Sequence, residues 1–239
     1  MLVLDHVSKQ YPGSLHGIFD LSLHICPGDL YAFLGRNGAG KTTTLKAVAG
    51  IHGIDSGRIL VDGKDLRDDP LACRQAMAYI PDNPDLYDYL TGIQYLQFVA
   101  DVYGVSSADR QSRIAQYAEG LELSGALGDL ICGYSHGMKQ KLALISAFVH
   151  QPKLLLLDEP FVGLDPVAAV TLRKMMQELC SRGGAIFYST HVLETAQKLG
   201  TKAAIIDGGR ILLSGPMDQL LRPGSSLEDT FLEVTGHGE

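Results

Sequence analysis

The sequence predicts an α/β protein: a parallel β core, an antiparallel β layer beside it, and an α-helical segment inserted between core strands. Three observations predict it. Leu154-Leu155-Leu156-Leu157 and Ala185-Ile186-Phe187-Tyr188 are continuous apolar runs, the pattern of parallel strands buried on both faces. The first third instead carries short apolar segments at Leu2 to Leu4, Ile18 to Ile25 and Leu30 to Leu34, separated by turn signals, which reads as an antiparallel layer. Between Asn83 and His150 the pattern is mostly helical.

Each element has its own reason. Ile18 to His24 partly alternates, Gly28-Asp29 marks a turn, and Gly57 and Asp62-Gly63 bracket the run Arg58 to Val61. Thr91-Gly92-Ile93-Gln94 fits a capping box and Gly104 a helix stop, so Ile93, Leu96, Ala100 and Tyr103 share one face that packs on the core. Thr171 to Cys180 is a helical run before Ala185 to Tyr188, which completes a β-α-β unit. No repeat or Pro- or Ser-rich linker divides the chain, so a single domain over residues 1–239 is expected, with a helical subdomain at about 83–150.

Composition narrows the function. With 239 residues, 46% of them hydrophobic, the chain can bury a full core without disulfides. Its four cysteines, Cys26, Cys73, Cys132 and Cys180, lie far apart with no metal-ligand spacing, as reduced cytosolic thiols do. A net charge of −7 argues against a general grip on nucleic acid. The amino terminus has no signal-peptide pattern, and no apolar run approaches the roughly 20 residues a membrane span needs. Any membrane role therefore belongs to a partner.

Three segments carry chemistry. Gly35-Arg36-Asn37-Gly38-Ala39-Gly40-Lys41-Thr42 follows the strand Leu30 to Leu34 and opens a helical run from Thr42 to Gly50, the required setting of a phosphate-binding loop. Its glycines let successive N–H groups point at phosphates, and the helix adds its positive end. Lys41 adds a point charge, Thr42 a hydroxyl for Mg²⁺, and Thr43 a reach to a further phosphate oxygen. The second segment is the strand Leu154 to Leu157 ending in Asp158-Glu159-Pro160. Ligands in parallel sheets bind beyond the strands' carboxyl ends, so both acids face the phosphates: Asp158 to hold Mg²⁺ through its water shell, Glu159 to accept the proton of an attacking water. The third is Ser189-Thr190-His191, where His191 sits past a buried strand at the same edge, placed to contact the γ-phosphate and orient the water.

In this order the residues resemble the ATP-binding subunits of ABC transporters, across essentially the whole chain. Gly35 to Thr42 is similar to their Walker A loop, Leu154 to Glu159 to Walker B, and Gly163-Leu164-Asp165 to the D-loop. Tyr134-Ser135-His136-Gly137-Met138 occupies the place of the Leu-Ser-Gly-Gly-Gln signature, before a helical run from Lys139 to Val149. The resemblance implies a P-loop NTPase core that hydrolyses ATP with Mg²⁺. Glu159, His191 and Lys41 are then catalytic, and Tyr11 stacks on adenine. Ser135 and Gly137 bind the γ-phosphate held by an opposite subunit. It further implies a homodimer or heterodimer of ATPase subunits beneath an integral membrane permease, at the cytoplasmic face of the membrane.

Two departures stand out. His136 and Met138 replace a glycine and the glutamine of the commonest signature, and Asp82 stands where the family usually has the Q-loop glutamine, still offering Mg²⁺ an oxygen. An acidic residue there and Lys139 after the signature resemble subunits serving exporters of drugs, lipids or polysaccharides. The competing readings are an ABC ATPase acting on ribosomes or DNA, and a P-loop kinase or GTPase. The first expects tandem units or basic extensions that the chain does not show, and the second leaves Ser135, the D-loop and His191 unexplained.

Overall fold

The structure, a computed structural model, describes residues 1–13, 16–221 and 224–236. Strands β1 (Leu2–Gln10) and β2 (Gly17–Ile25) pair antiparallel, with Leu2 opposite Ile25. The chain then crosses to the core through β3 (Leu30–Leu34) and enters α1 (Lys41–Val48). It returns to the layer as β4 (Ser56–Val61) and β5 (Lys64–Asp65), passes α2 (Pro70–Gln75), and rejoins the core at β6 (Met77–Ile80). Three helices follow: α3 (Gly92–Val102), α4 (Ser107–Gly120) and α5 (His136–Val149). The core resumes with β7 (Leu154–Asp158), α6 (Pro166–Ser181), β8 (Ala185–Thr190), α7 (Leu193–Leu199), β9 (Lys202–Asp207) and β10 (Arg210–Pro216), and the described chain closes on α8 (Met217–Leu220) and α9 (Leu227–Thr235). The layer runs β2-β1-β4-β5, and the core sheet runs β10-β9-β3-β8-β7-β6, parallel except at β10.

One sequence expectation is corrected. Leu30 to Leu34 does not belong to the antiparallel layer: β3 lies inside the parallel sheet, between β8 and β9. All five residues are buried, so the strand has no polar alternation to distinguish a face, as sheets covered on both sides require.

The continuous apolar runs resolve into two cores by the two-residue pleat. Leu155, Leu157, Ile186 and Tyr188 face α5 and α6, whereas Leu154, Leu156, Ala185 and Phe187 face α1 and the antiparallel layer. Phe187 packs with Tyr31 and Phe33 at ring separations of 6.0 and 5.1 Å, and all three are buried. Burying each such side chain stabilises the fold by about 1.5–3 kcal/mol, which fixes the layer against the sheet. The capping box at Thr91 is present in full, since its hydroxyl accepts from the Gln94 amide while the Gln94 side chain accepts from the Thr91 amide. Leu96 and Ala100 are buried beneath it. Among the described residues no helix is long and apolar enough to cross a membrane.

Candidate active site

The carboxyl ends of β3, β7 and β8 are neighbours, because these strands are adjacent and parallel. That adjacency gathers residues from distant parts of the chain. The glycine loop leaves β3, the acid pair ends β7, and His191 follows β8. Gly40 forms the N-cap of α1 at φ 110°, and a Cβ there would lie 2.9 Å from Ile18 Cγ2, so both conformation and space select glycine. Lys41, 6% exposed, folds back into the loop's mouth, where its ammonium donates to the Gly35 carbonyl at 2.7 Å and the Arg36 carbonyl at 3.3 Å. Its Nζ is also 3.6 Å from Glu159 Oε1.

Asp158 is only 1% exposed, and both of its oxygens are held. Thr42 Oγ1 donates to Oδ2 at 2.6 Å, and Ser189 Oγ donates to Oδ1. The same Ser189 hydroxyl accepts the Glu159 N–H at 3.1 Å. Glu159 itself has φ 47°, a left-handed conformation uncommon for a residue with a side chain. Its Oε1 lies 3.0 Å from His191 Nδ1, yet forms no aligned hydrogen bond despite being buried. The contact is therefore close in distance and poorly directed, which leaves the carboxylate oxygen available to another donor. Tyr79 presents a buried, unpartnered hydroxyl beneath this region, and its phenol is held well above the ordinary range by burial and then by the charges of Asp158 and Asp82.

The glycine loop and the acid pair line one cleft of about 330 Å³. Its walls include Arg36, Asn37, Gly38, Gly40, Lys41, Thr42, Thr43, Asp82, Asp158 and Glu159. Gly35 and Ala39 are not on the wall; Gly35 contributes its carbonyl to Lys41, and Ala39 is buried. His191 is half exposed at the edge, joined through Glu159. Tyr11 also lies outside the lining, with its hydroxyl 3.5 Å from Thr43 Oγ1 and its ring edge-on to His52. A larger hollow of about 420 Å³ opens among Tyr117, Phe148 and Met175, but neither the glycine loop nor the acid pair reaches it.

Ser135 and Gly137 are elsewhere. Ser135 caps α5, accepting the Met138 amide at 3.3 Å, so the segment sits at a positive helix end with no contact to the cleft of its own chain. Here His136 closes on the turn after the acid pair: a Cβ at Gly163 would fall 2.8 Å from His136 Cδ2. Lys141 pairs with Asp165 at 2.6 Å, and Asp165 in turn caps α6, accepting from Ala168 at 2.8 Å. Sequence reasoning assigned no role to Ser189 or Tyr79, nor to His16 and Gly17, which complete the cleft wall. A hydroxyl directly after an apolar run was the one signal for Ser189, whereas Gly17 arrives through its pairing with Gln10 in β1 and brings His16 with it.

The ABC transporter family model matches residues 18–162, more than half of the chain. The ABC-type transporter ATP-binding protein EcsA of Bacillus subtilis (strain 168) is 32% identical over 220 residues, covering 90% of this chain and 89% of that protein. A solved ATP-binding subunit of an ABC transporter superposes with a TM-score of 0.94 at 34% identity, over 98% of this chain and 99% of that one. The structure of cbiO1 from Clostridium perfringens, part of the ABC transporter complex cbiONQ, gives a TM-score of 0.77 at 25% identity, over 92% and 89% of the two chains. A phosphate loop facing an acid pair is common to many nucleotide enzymes, but the match extends through the segment that carries Ser135, and the chain accordingly belongs to the ABC transporter family, as an ATP-binding, ATP-hydrolysing subunit that energises a transporter.

Proposed function

We propose that this subunit works in a pair, with itself or with a similar subunit, and that each of two ATP molecules lies between the loop of one chain and Ser135 of the other. The observation that carries this is the division of the site: Lys41, Thr42, Asp158 and Glu159 surround one cleft, while Ser135 sits at a helix end outside it. In this reading the loop amides and Lys41 hold the phosphates, Tyr11 receives the adenine, and Glu159 accepts the proton of the attacking water. His191, beside Glu159, orients that water.

The donor set suits Mg²⁺. Thr42 Oγ1 and Asp158 Oδ2 are hard oxygens 2.6 Å apart, and Asp82 lies on the same wall. Among the described residues no group of three or more His, Cys, Asp or Glu forms a metal centre, so nucleotide phosphates and water would complete the ion's shell. The ion would supply positive charge against the phosphate oxygens.

A membrane permease is the proposed second partner, met at the cytoplasmic face. Tyr87, Tyr89, Phe98 and Val102 are 45%, 75%, 46% and 63% exposed, and Tyr87 packs against Tyr89 and Phe98 at 5.9 and 5.7 Å, an apolar surface close behind Asp82 in sequence. Crosslinking from positions 87 and 89 to the permease tests that contact. Asp82 and Lys139 support an exporter of drugs, lipids or polysaccharides.

Complementation tests the shared site. Lys41→Ala and Ser135→Arg chains should each be inactive alone, because each spoils both sites of its own pair. Mixed, they form pairs in which one site unites an intact loop with an intact Ser135, so turnover recovers to as much as about a quarter of the unmodified rate. No recovery, with mixed pairs shown to form, refutes the division of the site.

A further inference from the structure

The segment that follows α1 braces Tyr11. The ring of His52 meets Tyr11 edge-on, with centroids 5.8 Å apart and planes at 89°. The Tyr11 hydroxyl is 3.5 Å from Thr43 Oγ1. Thr43 lies in the first turn of α1, and His52 is anchored to the last: the amides of Ile51 and His52 both donate to the Lys46 carbonyl, at 2.9 and 3.3 Å. The helix and the segment that leaves it thus contact the tyrosine at its hydroxyl and its ring. Three residues on, the same segment grips the end of β1. Asp55 accepts the Gln10 amide at 2.7 Å and the Lys9 ammonium at 2.9 Å, while its own amide donates to the Ser8 carbonyl at 2.8 Å. Tyr11, the next residue after Gln10, therefore leaves the strand at a fixed point and angle.

We infer that His52 is a positioning residue for the adenine platform, holding the Tyr11 ring at one distance from the phosphate loop so that base and phosphates are bound together. This rests on the reading of Tyr11 as the adenine contact. A free aromatic ring must be ordered when the base arrives, and a ring already held avoids that loss. The expected contribution is the avoided cost of ordering one aromatic side chain, about two- to tenfold in affinity.

The test compares ADP with pyrophosphate, which has phosphates and no base, by calorimetric titration in Mg²⁺ buffer. His52→Ala should weaken ADP about two- to tenfold and leave pyrophosphate binding unchanged. His52→Phe, which keeps an aromatic ring there, should restore ADP affinity. In a Tyr11→Ala chain, already weakened for ADP, adding His52→Ala should cost nothing more. Equal weakening of ADP and pyrophosphate, or an undiminished His52→Ala effect in the Tyr11→Ala chain, overturns the inference. If Tyr11→Ala weakens ADP and His52→Ala does not, the platform stands and the brace alone falls. If Tyr11→Ala leaves ADP affinity unchanged, the platform reading fails and the brace with it.

Discussion

Replacing Glu159 with Gln removes one proton acceptor and little else. The carboxamide has the same length and shape, and it inherits a side chain only 15% exposed. The turn should keep its form, because the Glu159 N–H is held by Ser189 Oγ and the main chain, not the carboxylate, carries the φ of 47°. Nucleotide binding should persist, since Lys41 retains the carbonyls of Gly35 and Arg36 as its anchors and loses only the carboxylate 3.6 Å away. Turnover is a different matter. A positioned general base is worth about 10²- to 10⁴-fold, or about 2.7–5.4 kcal/mol of barrier, and the rate of phosphate release from ATP should fall by that factor. Mg·ATP should then persist between two subunits and hold them as a pair, visible by size-exclusion chromatography. ADP should not support the pair, and adding Ser135→Arg should abolish it. Hydrolysis by Glu159→Gln at the unmodified rate, or a pair that ignores both nucleotide and Ser135, refutes the assignment.

Three other outcomes are expected. Asp82→Ala should lower transport per ATP consumed more than it weakens ATP binding, measured with permease in vesicles, because Asp82 lines the nucleotide cleft and directly precedes the segment leading to Tyr87. Phe187→Ala should destabilise the fold by about 3–5 kcal/mol in denaturant unfolding, since the ring is fully buried between Tyr31 and Phe33. His150 stacks on Tyr103 at 3.7 Å, and burial lowers its pKa, so the native state resists a proton that the unfolded chain takes up. Stability should fall as pH drops through about 6.5, and His150→Phe, which keeps the stack, should lessen the fall in melting temperature between about pH 7.5 and 5.5.

What the sequence made legible was local or periodic. Leu154 to Leu157 and Ala185 to Tyr188 announced buried strands because both faces are covered, and the Thr91 cap was readable because its hydrogen bonds span three residues. The short strand β6 was missed: only four residues long, it needs β7 beside it to be a strand. Leu30 to Leu34 was misplaced for a related reason. Its neighbours in sequence are antiparallel strands, whereas its partners β8 and β9 lie more than 150 residues away. The glycine loop carries its own backbone pattern, but the double role of Ser189 exists only because Asp158 and Ser189 stand opposite each other across β7 and β8.

That register also explains how a strained residue is tolerated at the centre of the site. A left-handed φ costs a residue such as Glu159 about 1 kcal/mol or more, and it persists only where its surroundings fix it. Ser189 supplies the fixing, with one hydroxyl that donates to Asp158 and accepts from the Glu159 amide. Asp158 is thereby aimed at Thr42, and the chain turns so that the next carboxylate reaches toward Lys41 and His191. Two adjacent acids in an extended strand would point to opposite faces of the sheet. The left-handed turn brings both to one cleft, which lets one carboxylate be locked by hydrogen bonds while its neighbour keeps an oxygen free to take a proton.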